Sequence, residues 1–90
     1  MNKPRRKQVQ EVIDRLGVLQ NEMDELISTI ESIQEDEEEY RDNIPENMQG
    51  SERYERAETA CDALMTARDT LEESKDSLDD VISSLEEAAE

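Results

Sequence analysis

Histidine, tryptophan and phenylalanine are all absent from this chain, and two tyrosines are its only aromatic residues. Without His there is no Ser/His/Asp or Cys/His set, and acid–base chemistry would rest on surface carboxylates alone. Few aromatics in 90 residues leave no material for a thick globular core. The single cysteine, Cys61, has no internal disulfide partner. Glycine and proline occur twice each, too few to punctuate a chain of many short elements. Long apolar runs are missing as well, with neither a secretory leader nor a run of about 18 apolar residues. A cytoplasmic, membrane-free protein is therefore expected.

Charge of one sign is scarce. Ten Lys and Arg stand against 26 Asp and Glu, a net charge of −16. Residues 10–90 hold all 26 acids and six of the bases, so that segment carries −20. Such a chain repels a phosphate backbone, which excludes ordinary nucleic-acid binding. Attraction to a basic protein surface is compatible with it. The basic start, Lys3, Arg5, Arg6 and Lys7, is too short and isolated to argue for membrane binding.

What the chain does have is helical periodicity. Val9, Val12, Leu16, Leu19, Met23, Leu26, Ile30 and Ile33 recur at alternating spacings of three and four, and Glu37 and Tyr40 continue the count. That average of about 3.5 residues is the repeat of a helix packed lengthwise on another. Ala60, Leu64, Ala67, Leu71, Ser74, Leu78, Val81, Leu85 and Ala88 repeat the pattern downstream. Between them, Pro45 disfavours helical geometry at Ile44, Gly50 frees the backbone, and Ser51 with Glu52 makes an N-cap. Ile44 and Met48 are expected to fold back and close the end of the stripe. Pro4 suits a helical first turn.

The expected architecture is all-α: an antiparallel two-helix hairpin, coiled-coil-like, in one domain spanning 1–90. A helix over about 4–41, a turn over about 42–51 and a helix over about 52–88 compose it. Folding about the turn pairs Tyr40 with Tyr54, Ile33 with Ala60, Leu26 with Ala67, Leu19 with Ser74, Val12 with Val81 and Val9 with Leu85, without a slip. Large residues on the first seam meet smaller ones on the second. Arg5, Arg6 and Lys7 come beside Glu86, Glu87 and Glu90. Gly17 is a soft spot rather than a break, costing about 1 kcal/mol relative to Ala.

Ile13 and Ile27 beside the first seam, and Cys61, Met65 and Ile82 beside the second, widen the apolar stripe on one open side. These five are the expected self-association residues, most simply in a homodimer forming a four-helix bundle. Arg68 and Lys75 share that side, either pairing with a partner's acids or opposing close packing. Cys61 sits in an acidic segment, which suits a small structural hydrophobe rather than a reactive thiol. Ser74 can bond a carbonyl one turn back.

No cofactor or metal is expected. The run Glu35-Asp36-Glu37-Glu38-Glu39 lacks the glycine and spacing of a calcium loop and reads as a solvated charge run. The candidate partner-binding acids lie off the seam: Glu22, Glu25, Asp36, Asp62, Asp69, Asp76 and Asp80. On a straight rod, rows of carboxylates imitate a nucleic-acid backbone and fit a basic protein surface. The contrasting reading is a coiled-coil scaffold whose charge serves solubility only.

The start Met1-Asn2-Lys3-Pro4-Arg5-Arg6-Lys7 and the stretch from Asp42 to Tyr54, with its Asn43-Ile44-Pro45-Glu46-Asn47 turn, resemble a set of short acidic helical-hairpin proteins of Firmicutes phages and prophages. The resemblance runs nearly the full length, and it is more specific at the turn than in the helices. It implies a protein of the host-cell cytoplasm and carries over no active site. By analogy with phage accessory proteins of this size, it suggests a non-enzymatic inhibitor of a host or defence protein.

Overall fold

A computed structural model describes all residues, Met1 to Glu90. Helix α1 spans Lys3–Asp42, a single 3-10 turn spans Glu46–Met48, and helix α2 spans Glu52–Ala88. The two helices lie antiparallel as a rod measuring 70 × 15 × 13 Å. The all-α hairpin is the one expected, and α1 extends one residue further at each end than the expected 4–41.

Local chemistry sets the ends. Asn2 caps α1, its Oδ1 accepting from the Arg5 amide at 2.9 Å, with Pro4 in the first turn. Ser51 caps α2, its Oγ accepting from the Tyr54 amide at 3.3 Å, and Glu52 and Glu55 add negative charge where the helix dipole favours it. Pro45 is extended, with φ −56° and ψ 145°, which stops α1. The Met48 amide then donates to the Pro45 carbonyl at 2.8 Å and the Ser51 amide to the Met48 carbonyl at 3.0 Å. Gly50 keeps a negative φ, so this turn makes no use of glycine's left-handed region. Gly17 leaves α1 unbroken, and a Cβ there would meet nothing within 4 Å.

The inner seam corrects the expected one. Five positions of α1 are shared by both: Val9, Leu16, Met23, Ile30 and Glu37 are part-buried. The positions alternating with them in the structure are Ile13, Gln20, Ile27, Gln34 and Arg41, all buried or part-buried. The expected alternates, Val12, Leu19, Leu26, Ile33 and Tyr40, are 43–51% exposed. On α2, Leu64, Leu71, Leu78 and Leu85 alternate with Cys61, Arg68, Lys75 and Ile82, whereas Ala67, Ser74, Val81 and Ala88 are exposed. Each helix is thus rotated about 50° from the sequence reading, half a residue's turn.

The reason is amphipathic reach. Gln, Arg and Lys carry apolar stems that lie across a seam while their heads find partners at its edge. Lys75 Nζ donates to Asp24 at 2.6 Å, Arg68 lies 3.5 Å from Glu31, and Gln20 Nε2 donates to Asp79 at 2.7 Å and to the Lys75 carbonyl at 3.4 Å. These pairs cross between the helices and close one long side of the hairpin with a polar cover. The antiparallel register survives the rotation.

Only four residues are fully buried: Ile27, Ile44, Ala57 and Cys61. Ile44 closes the turn as expected, at 2% exposure, whereas Met48 stays 43% exposed.

Candidate protein-binding surface

The two helices leave unlike sides. In an antiparallel pair the sense of rotation reverses between chains, so stripes rotated alike on both helices share one side. Tyr40 of α1 and Ala60 of α2 accordingly border the same shallow hollow, along with Arg53. The Arg53 Nε donates to the Tyr40 hydroxyl at 2.6 Å, with the guanidinium 5.1 Å from the ring centroid. Below that bridge the side is apolar. Val12, Leu19, Leu26 and Ile33 run along α1 beside Ala60, Ala67, Ser74 and Val81 of α2.

The expected self-association residues fall elsewhere. Ile27 is 8% and Cys61 3% exposed, and Ile13 and Ile82 are part-buried beside them on the polar-covered side. They pack the hairpin's own interior, so they do not form an open stripe. Met65 alone of the five is substantially open, at 46%. Arg68 and Lys75, on that side, pair with acids of their own α1 rather than waiting for another chain's. The open apolar side is the one the sequence reading had placed inside.

Carboxylates occupy the outer surfaces. Asp62, Asp69 and Asp76 follow one line down the back of α2, one heptad or about 10.5 Å apart, with Asp80 on the adjoining line. All four are exposed. Asp69 is held by Arg68 at 3.1 Å, while Asp62, Asp76 and Asp80 make no ion pair. On α1, Glu22 and Asp36 flank the apolar stripe and Glu25 lies on the helix back, all exposed. The seven acids therefore form two separate groups. The group on α2 is the denser, because Glu72, Glu73 and Asp79 lie among its members.

At the open end, the Arg6 guanidinium donates to the Glu90 main-chain oxygen at 3.4 Å. No ion pair joins Arg5, Arg6 or Lys7 to Glu86 or Glu87, so the expected acidic partner is met only in part. Exposed pairs of this kind contribute about 0–1 kcal/mol. Ser74 Oγ donates to the Thr70 carbonyl at 3.0 Å, the local bond its position allowed. No group of three or more Asp, Glu or Cys side chains is gathered in metal-binding geometry. No helix is long and apolar enough to cross a membrane.

Burial pushes the Cys61 thiol above its ordinary range, and the nearby carboxylates of Glu38, Glu37 and Asp62 add to this against an opposing Arg41. The thiol thus stays protonated and shielded at neutral pH. Alkylation of Cys61 by iodoacetamide in the folded chain is expected to be on the order of 100-fold slower than in urea. Equal rates would show that the seam around it is open. Because the folded-state pKa is raised, this group's contribution to stability is full below its unfolded pKa. It is lost as pH rises through the folded value, so the chain should weaken on the alkaline side.

Comparison with protein-family models, with curated proteins and with solved structures finds no match.

Proposed function

We propose that this chain is a non-enzymatic protein-binding module whose acidic α2 surface occupies a basic, nucleic-acid-binding surface of another protein. The observation that carries this reading is the line of exposed carboxylates on α2, of which Asp62, Asp76 and Asp80 make no ion pair within the chain. A rigid helix holds them at fixed intervals, so arraying the charge on binding costs side-chain but little backbone conformational entropy. Interleaved with Glu72, Glu73 and Asp79, they give a dense one-sided negative ridge. A basic groove built for a phosphate backbone would take such a ridge. The phage-type resemblance of the start and the turn agrees with an inhibitor acting on a host or defence protein.

One observation favours a second reading, a structural coiled-coil scaffold. The unpartnered apolar side is a feature of helices that assemble, and the charge would then serve solubility.

The test uses immobilised chain and host lysate at low and high salt. A protein retained only at low salt should bind the Asp62→Lys, Asp76→Lys, Asp80→Lys variant at least about 10-fold more weakly, and duplex DNA should compete with wild type for it. Helicity should be unchanged. A partner whose affinity ignores both salt and the three substitutions would overturn this reading and leave the scaffold.

A further inference from the structure

We infer that the open apolar side of the hairpin is covered by a second copy of this chain, with α1 of each copy on α2 of the other and both turns at one end. Three observations bear on the occupant.

The first is volume. The α1 half of this side carries large residues: Val12, Leu19, Leu26 and Ile33 are 46%, 43%, 51% and 48% exposed. The α2 half is small, with Ala60, Ala67 and Ser74 along most of its length. A two-fold axis parallel to the rod lays each large half on a small half at the same height. Leu26 then meets the other copy's Ala67, Leu19 meets Ser74, and Ile33 meets Ala60. The side is complementary to itself, which an isologous interface requires. A two-fold across the rod at the height of Leu26 would set α1 on α1 and α2 on α2, Leu26 against Leu26 and Ala67 against Ala67, crowding one half and leaving the other loose.

The second is charge. A chain at −16 repels its copy unless the contact is neutral. Beyond the small stripe, the next line of α2 reads Ala63, Thr70, Ser77 and Ser84, again without charge. The carboxylates of Asp62, Asp69 and Asp76 lie on the outer back and stay in water. On α1 the flanking line carries Arg15, Glu22 and Asp36, so charge stays at the rim of this side while its centre is apolar, and the denser α2 ridge and the apolar side serve different partners.

The third is area. The apolar stretch from Val12 to Tyr40 is about 42 Å long at 1.5 Å per residue on a rod 15 Å wide, on the order of 600 Å² for each copy, at the low end of specific stable interfaces.

The experiment has two arms. Light scattering in about 0.15 M salt should give twice the 10.4 kDa chain mass. Leu26→Glu should weaken the dimer by roughly 100-fold while Glu25→Ala, on the helix back, leaves it unchanged. Circular dichroism reports whether each variant stays helical; Leu19→Ser serves in its place if Leu26→Glu does not. For the arrangement, Leu26→Cys and Ala67→Cys are made in separate chains, each with Cys61→Ala, and mixed under mild oxidation. A predominant mixed disulfide, which can form only between chains, is expected. Predominant Leu26→Cys self-linkage would overturn the parallel two-fold. A helical wild-type chain holding at one chain mass up to millimolar concentration, or a dimer indifferent to both Leu26→Glu and Leu19→Ser, would overturn the second copy as occupant of this side.

Discussion

Ile27→Ala should lower the unfolding free energy by roughly 2–4 kcal/mol, while Leu26→Ala, its immediate neighbour, should cost under about 1 kcal/mol. Both residues are branched aliphatics of nearly equal volume on the same helix turn, so hydrophobicity alone predicts equal losses. The structure separates them by placement. Ile27 is 8% exposed at the seam and Leu26 is 51% exposed on the open side. Removing Ile27 leaves a gap between two long helices that have few other buried contacts. Removing Leu26 takes away surface that is already half in water. The comparison is made by urea denaturation followed by circular dichroism, at dilutions where light scattering gives one chain mass, so that loss of association does not enter. Equal costs, or the reverse order, would show that the helices pack on the stripe containing Leu26.

That contrast also marks the boundary of what the sequence reveals. Helix ends were legible because each rests on local chemistry: Asn2 and Ser51 cap, Pro4 opens α1, and Pro45 stops it. Register was legible because one turn between two long helices leaves few ways to align them. Helix rotation was not. Val12, Leu19, Leu26, Ile33 and Tyr40 are more apolar than Ile13, Gln20, Ile27, Gln34 and Arg41, so counting hydrophobicity selects the former as the seam. The count omits the stems of Gln20, Arg68 and Lys75, which cover apolar surface while their heads bridge the helices. It also omits that a helix with three adjacent apolar stripes has one more than a lone hairpin buries. The apolar stripe is wider than one hairpin buries, as its sequence implies, but its two edges are exchanged: Ile13, Ile27, Cys61 and Ile82 lie inside, and Leu19, Leu26 and Ile33 lie open. The acidic ridge was visible as composition, whereas its division between α1 and α2 depended on the rotation.

Ile44→Ala is expected to cost about 2–4 kcal/mol and to remove protection first at the turn end of the rod. Three of the four buried residues, Ile44, Ala57 and Cys61, lie at or next to the turn. Ile44 reaches its place because its amide donates back to the Arg41 carbonyl at 3.1 Å, while Pro45 turns the chain away from α1. Its side chain is 2% exposed and closes the turn end of the seam, where Ala57 at the start of α2 is 1% exposed. Shortening a side chain this deeply buried removes apolar contacts and leaves a cavity to the extent that the neighbours do not collapse into it. The far end has no such plug: beyond part-buried Ile82, Leu85 and Ala89 it is held by the Arg6–Glu90 bond at 3.4 Å. Hydrogen exchange in the wild-type chain should therefore slow from the Met1/Glu90 end toward the turn, and Ile44→Ala should flatten that gradient. Met48→Ala, in the same turn but 43% exposed, is the control and should cost less than about 0.5 kcal/mol. Comparable losses for the two substitutions, or a gradient unchanged by Ile44→Ala, would show that the turn does not anchor the hairpin.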